Sequence, residues 1–321
     1  MSDVRVLPTR RTATACWLLL APGVAWAVVR VAGLERGPLV QLLAFTPYVA
    51  AWSVLPPVVA LFARRWRAAA VAGAAAVALL GCVVPRVHTD PDPGPRTGSP
   101  LRVLTANLLG GGVAAGALVD LVRRERVDAL ALQEFTPEMG AELRGRGLAR
   151  DLPFAVTGKD SALYSRHPLR DTGVRENPGP FQQAYGTVER PGAAPVYVES
   201  VHPMSPYAVS VLSDWRADLA AQTPADPGGQ VRVLAGDFNA TLDHAPLRRL
   251  LRTGYRDAAA TVGAGLAGTW GPYDGDPIPP VTIDHVLVDR RVGVRAVRVY
   301  PLPGGDHRAV LAELVLPGPQ S

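Results

Sequence analysis

Cysteine and lysine are nearly missing from this chain of 321 residues. Two cysteines, Cys16 and Cys82, are too few for a disulfide framework or a cysteine-rich zinc site. Lys159 is the one lysine, so 32 of the 33 basic residues are arginine, which we read as genome composition and not as 32 chosen arginines. Aromatic residues reach only 6%. With 48% hydrophobic residues and a mean hydropathy of +0.13, the chain is too apolar to be disordered. It is also not apolar enough to consist entirely of spanning helices. The formal charge of +5 and the pI near 9.5 would suggest nucleic-acid binding. That suggestion fails when the charge is divided, because residues 1–100 carry +6 and the remainder −1. The length allows two units at roughly 100–200 residues per domain, and no internal repeat is visible.

Charge is absent altogether from three long stretches: Thr12 to Val29 (18 residues), Gly37 to Ala63 (27) and Ala68 to Pro85 (18). About 20 apolar residues span a hydrocarbon core, so residues 1–86 read as a membrane anchor of three helices, at about 12–30, 38–63 and 67–85. Pro22, Pro47, Pro56 and Pro57 are tolerated in such helices. Arg5, Arg10 and Arg11 before the first stretch, and Arg64, Arg65 and Arg67 before the third, place the N-terminus inside and everything after residue 86 outside. The expected location is the cell membrane, multi-pass, with an extracellular domain. Ala25-Trp26-Ala27 offers an alternative, a cleaved signal peptide, which leaves two spans and the same outward domain. Residues 87–100 belong to a run with five prolines and two glycines in 16 residues from Pro85 to Pro100, expected to form a semi-rigid tether.

From residue 101 onward short β-rich runs outnumber helical ones. Strands are expected at 101–106, 127–132, 154–157, 161–165, 184–190, 196–201, 231–235, 281–288, 292–299 and 309–316. Helices are expected at 113–126, 137–149, 207–222 and 245–252. This pattern suggests two mixed sheets packed face to face with helices outside, an α/β fold. Asn107, Glu134, His202, Asp237, Asn239, Asp284 and His307 cluster where strands end, on rims where a rigid backbone presents side chains to solvent.

The segments TANLLGG, LALQE, SVHP, GDFN, TIDHVLV and GGDHRAV, in that order, resemble the endonuclease/exonuclease/phosphatase superfamily, here in a membrane-anchored bacterial form. GDFN alone is a weak signal; six motifs in order, each at a strand end, are specific. The resemblance covers residues 101–317 as the catalytic domain and implies a four-layer α/β/β/α sandwich preceded by the three transmembrane helices. It also implies Mg²⁺-dependent phosphoester hydrolysis, with Mn²⁺ as the substitute. Such cleavage needs charge neutralisation, a positioned water and in-line geometry. In the resemblance Glu134 is the main metal ligand, with Asn107 beside it and Asp306 contacting a metal or its water. Asp237 aligns or deprotonates the attacking water, and Asn239 and His202 donate to the phosphate. His307 is the acid/base or transition-state stabiliser, held by Asp284. Taken singly, Asn107, Asp237, Asn239 and Asp306 also read as turn residues, and His202 as a structural histidine before proline.

His285 follows Asp284 on a strand and so points to the opposite face, as a packed histidine. His244 reads as a helix cap beside Asp243, and His88 lies in the tether. Tyr164 falls where the family often has a site-proximal residue, and Thr269-Trp270 matches a family pair without an assigned role. No long basic insertion exists to grip duplex DNA. The substrate is a phosphoester of open class: nucleic acid, phospholipid headgroup or small molecule. Monoester or diester cleavage and one or two metals also stay open. The bilayer is the other partner, and no protein partner is evident. The alternative reading is a catalytically idle binding or scaffolding module of the same fold.

Overall fold

The computed structural model describes residues 10–91, 94–271 and 278–318. Arg5 and Asp92 lie outside the described residues, as do residues 272–277 within the expected catalytic domain. The chain divides into two compact units, Met1–Val84 and Pro85–Ser321.

The first unit contains α1 (Arg10–Ala32), α2 (Leu39–Leu43), α3 (Thr46–Trp52), α4 (Leu55–Phe62) and α5 (Trp66–Val83). The second apolar stretch, expected as one helix over 38–63, is three short helices. Pro38 stands at the N-cap of α2, and α3 and α4 each carry proline in the first turn. Proline lacks the N–H that a helix interior requires and fits the first turn, so each one starts a new helix. Among the described residues one helix, Trp66–Val87, is long and apolar enough to cross a membrane, with 22 residues and hydropathy 2.2. Trp17–Ala32 and Thr46–Phe62 are shorter apolar segments, so the three expected spans reduce to one candidate by length and composition. Small side chains bring the helices together: Ala60, Ala68, Ala69 and Ala72 pack with Leu20, and Ala27 and Ala50 with Leu79 and Val83.

The 3-10 turn Val84–Val87 leads into the second unit, which has twelve strands among the described residues. These are β1 (Ser99–Asn107), β2 (Ala129–Gln133), β3 (Phe154–Thr157), β4 (Ser161–Ser165), β5 (Leu169–Glu176) and β6 (Gln182–Val188), then β7 (Val196–Val201), β8 (Val231–Asp237), β9 (Tyr255–Asp257), β10 (Asp284–Asp289), β11 (Gly293–Pro301) and β12 (Arg308–Leu316). The helices are α6 (Ala115–Arg124), α7 (Pro137–Gly145), α8 (Leu148–Asp151), α9 (Leu212–Ala220), α10 (Ala245–Arg252) and α11 (Ala258–Thr261). One six-stranded sheet has the order β11-β12-β1-β2-β4-β3 and the other β5-β6-β7-β8-β10-β9. Both are mixed: β1 pairs parallel to β2 and antiparallel to β12, and β7 parallel to β8, which pairs antiparallel to β10. The two mixed sheets and flanking helices agree with the expected α/β sandwich.

Valines and alanines fill the space between the sheets, among them Val103, Ala129 and Ala131 of one and Val198, Val233 and Val286 of the other. Leucines take the outer layer, where Leu104, Leu130 and Leu132 meet Leu118, Leu143 and Leu148 of α6–α8. A buried polar seam crosses the inter-sheet space. Gln133 Nε2 donates to Ser200 Oγ at 2.8 Å, Thr105 Oγ1 donates to Gln133 Oε1 at 3.1 Å, and Ser200 Oγ donates to Leu132 O at 2.9 Å.

Several boundaries differ from expectation. The helix expected at 137–149 breaks into α7 and α8 around Gly147, whose φ of 85° favours glycine. β5 escaped the sequence reading because most of its positions are exposed or half-buried, with no apolar alternation. The start of the expected tether is not free. Arg86 is buried, Asp90 N donates to Thr261 O at 2.8 Å, and Thr89 forms an antiparallel bridge with Val262. Prolines there stop regular structure but not docking.

Candidate active site

Strand alternation carries the inter-sheet face to the rim, where it becomes polar. On β1, Leu101 and Val103 face the other sheet, and Asn107 continues that face. Val231, Val233 and Ala235 on β8 set the face of Asp237, and Val286 and Val288 on β10 set that of Asp284. Asp237 and Asp284 are direct cross-strand neighbours. His202 follows β7 on the face of Val196 and Val198.

Glu134 and Asn239 arrive by another route. Leu130 and Leu132 face the helices, and an extended Glu134 would follow them. Its φ of 51° turns it instead toward Asn107, whose Nδ2 donates to Glu134 Oε1 at 2.9 Å, while Gly110 N donates to Oε2 at 2.9 Å. Asn239 has φ 48°; its N donates to Asp237 Oδ1 at 2.8 Å and its Nδ2 to Pro203 O at 3.0 Å. Leu109, at φ 50°, completes three of the six non-glycine residues with positive φ among the described residues. Such backbones cost of order 1–3 kcal/mol each and gather at functional sites.

Asp237 is the centre of the cluster. Its Oδ2 accepts from Asn107 Nδ2 at 3.1 Å and lies 3.8 Å from His202 Nε2 and 3.7 Å from His307 Nε2. The two longer gaps exceed a hydrogen bond, so neither Nε2 is bonded directly to Asp237. His307 Nδ1 meets Asp284 Oδ2 at 2.9 Å, which sets its tautomer and aims Nε2 toward Asp237. Burial opposes charge on His307, but the carboxylates of Asp284 and Asp237 outweigh it and raise its pKa. Burial also raises the Asp237 pKa; the His307 charge lowers it in part, and the Asp284 charge raises it further. Burial, with the His307 charge second, pushes His202 down to about 3, so His202 is neutral near pH 7.

Carboxylate and amide oxygens are the donors that Mg²⁺ and Mn²⁺ select. Asn107 Nδ2 sits between a Glu134 and an Asp237 oxygen, where positive charge is favoured. Asp284 Oδ1, Asp306 Oδ1 and His202 Nδ1 are buried without hydrogen-bond partners. Such atoms are rare in finished cores and mark places for an ion, water or phosphate. Asp237, Asp284 and His307 also lie close enough to share an ion, with ligand atoms within 4.8 Å of one another. Glu134 and Asn107 lie beside this group and add further oxygens. The structure therefore brings together Asn107, Glu134, Asp237, His202, Asp284, His307 and Asn239. Asp306 lies beside His307, where its Oδ2 accepts from Trp270 Nε1 at 3.1 Å.

Residues 104–307 match the Endonuclease/Exonuclease/phosphatase family. The chain belongs to that family. Its members hydrolyse phosphoester bonds. Solved structures with the same fold include an endonuclease/exonuclease/phosphatase from Beutenbergia cavernae, 19% identical over 68% of this chain and 72% of that one, with TM-score 0.58. Humanized D. rerio TDP2 is 16% identical over 67% of this chain and 98% of its own, with TM-score 0.55. D. rerio TDP2 complexed with a single-strand DNA product is 17% identical over 67% and 99%, with TM-score 0.53. These identities establish a common fold and nothing finer. Comparison with curated proteins gives no match.

Some residues of this family member lie elsewhere than expected. Tyr164 packs in the helix-side core with Phe135, away from the polar rim, because alternation on β4 sends it outward with Leu130. His244 makes no capping bond to α10; its buried ring accepts from Thr241 N at 2.9 Å and meets the Trp215 ring edge-on. His285 is buried on the far face as expected, with Nδ1 2.8 Å from Asp257 Oδ2 and Nε2 2.9 Å from Ala240 O. The residues that hold the site carried little sequence signal. Phe181 stacks on His202 at 4.3 Å, Asn177 Nδ2 donates to His202 O at 2.9 Å, and Gln183 Oε1 accepts from His202 N at 3.1 Å. Thr269 Oγ1 accepts from Asp284 N at 3.0 Å, which gives the Thr269-Trp270 pair a supporting part.

Proposed function

We propose that residues 101–317 are a divalent-metal-dependent phosphoester hydrolase held at the cell membrane by the first unit, with the catalytic domain outside. The convergence of His202 and His307 on the Asp237 carboxylate, beside the Asn107–Glu134 pair, carries the catalytic part of this reading. Glu134, with Asn107 beside it, would hold Mg²⁺ or Mn²⁺, and Asp306 would contact the ion or its water. The cation would supply charge neutralisation at a phosphate oxygen.

The chain's own groups do the rest. Asp237, buried and raised in pKa, orients a water and takes its proton as the water oxygen bonds to phosphorus. The ester oxygen leaves as the P–O bond breaks. Charged His307, oriented by Asp284, donates from Nε2 to the oxygen that gains charge. Neutral His202 keeps one N–H to donate to a phosphate oxygen. Asn239 has one amide hydrogen on Pro203 and a second for the phosphate.

The membrane part rests on the first unit's surface. Trp17, Leu18, Leu19, Trp52, Phe62 and Val77 are exposed there, more apolar surface than a water-facing helical unit tolerates. Arg64, Arg65 and Arg67 cluster at the start of the span candidate, which favours an inside start and an outside catalytic domain. Protection of the domain from protease on intact cells would overturn that orientation.

The activity is tested with detergent-purified full-length protein on plasmid DNA, RNA, phospholipids and small phosphoesters. Turnover that needs Mg²⁺, stops with EDTA and falls about 10²–10⁴-fold in His307→Ala is expected. Full activity of the folded His307→Ala protein would refute the mechanism. Metal binding without turnover on any substrate would favour an idle binding module.

A further inference from the structure

The loop after β8, residues 239–244, carries Asn239 and follows Asp237, so its position decides where two reacting groups stand. Three of its fastenings are side chains distant in sequence. Trp215 Nε1 donates to Asn239 O at 3.0 Å, and His285 Nε2 lies 2.9 Å from Ala240 O. The third fastening comes from before the part of the chain that matches the family. Arg86 Nη1 donates to Asp243 Oδ2 at 2.7 Å and Nη2 to Asp243 Oδ1 at 2.6 Å. The side chains are 7% and 0% exposed.

This pair is built into the fold on both sides. Gly265 N donates to Arg86 O at 3.0 Å, and a Cβ at Gly265 would stand 3.0 Å from Arg86 Cβ, so glycine admits the arginine there. Asp243 N donates to Thr241 Oγ1 at 3.2 Å, its carbonyl accepts from Arg248, and Thr241 N donates to His244 Nδ1 at 2.9 Å. The two-pronged geometry fixes angle as well as distance, which lysine cannot reproduce.

We propose that Arg86 is a positioning residue of the active site, acting through Asp243 to hold the loop that carries Asn239 and orients Asp237. The inference rests on the hydrolase reading for its kinetic consequence, but the loop itself can be observed without turnover. Asn239 at φ 48° is a strained conformation that relaxes when its surroundings loosen. Arg86 follows the end of α5 by three residues and stands at the start of the second unit.

The test uses full-length protein and compares Arg86→Met, Arg86→Lys, Asp243→Asn and the double variant Arg86→Met/Asp243→Leu. The double variant removes both charges and keeps a foldable protein if either single change unfolds it. Well below each melting temperature, kcat per folded molecule is expected to drop ~10- to 100-fold in Arg86→Met, with KM changed far less and partial recovery in Arg86→Lys. Hydrogen exchange is expected to quicken at residues 239–244 in Arg86→Met and in the double variant, with β1 and β2 unchanged. Unchanged exchange in that loop would overturn the proposal, and so would unchanged kcat in folded single or double variants despite a lowered melting temperature. If the wild type hydrolyses nothing while Arg86→Met still loosens the loop, the hydrolase reading fails and the positioning role stands.

Discussion

At His307 a hydrogen bond determines chemistry. The Asp284 carboxylate at 2.9 Å keeps the proton on Nδ1 and supports the charged ring. Asp284→Asn keeps the shape and removes the charge, so kcat is expected to fall ~10²-fold or more with the melting temperature little changed. Steady-state kinetics on the folded variant checks this. His202 gives a second residue-scale prediction, in stability. Its folded pKa of about 3 lies below the ordinary 6.5, so the unfolded chain binds a proton that the folded chain refuses. The stability it contributes is full above pH 6.5 and is lost as pH falls from 6.5 toward 3. The slope approaches about 1.4 kcal/mol per pH unit. Denaturant unfolding at pH 7, 6 and 5 is expected to show a loss of stability toward low pH that is steeper in the wild type than in His202→Gln, by an amount approaching that slope. Equal slopes would refute it. Glu134 and Asn239 show why residue identity alone did not give their placement: both depend on a positive φ that strand alternation does not foresee.

Strands β7 and β8 carry the site from the second sheet, and their closeness depends on Gly236. A Cβ there would stand 2.0 Å from Val201 O, with backbone on the approach side and nothing flexible to yield. Gly236→Ala is therefore expected to lower stability by about 3 kcal/mol or more, as a backbone clash in the core does. Thermal unfolding of the purified variant measures it, and a melting temperature within a degree of wild type would contradict the packing. The buried Gln133–Ser200 bond works at the same scale, because it ties β2 of one sheet to the end of β7 in the other directly beneath the site. Motif order made these strand ends legible in the sequence. The surrounding supports, Asn177, Gln183 and Phe181, were not legible, because polar and aromatic residues in loops carry no periodicity.

For the whole chain, the boundary between the units matters to anyone who trims it. The second unit begins at Pro85, and Arg86 belongs to its buried interior. A protein starting at residue 88 leaves Asp243 without its guanidinium in a dry setting, where loss of one partner costs about 3–5 kcal/mol. It is expected to melt well below one starting at residue 84, and equal melting temperatures would show the pair to be dispensable. The sequence by itself showed most of the strands, the resemblance to the family, and the set Asn107, Glu134, His202, Asp237, Asn239, Asp284 and His307. Those follow from local patterns: alternation, turn chemistry and motif order are written within a few residues of each other. Tertiary structure decided what depends on distant partners. The prolines of the second apolar stretch became helix starts, Tyr164 turned to the helix layer, and Arg86, at the end of the expected anchor, became part of a buried clasp. Arg86 and Asp243 are 157 positions apart, and desolvation of that pair exists only once the loops around Gly265 and Asp243 have closed over it.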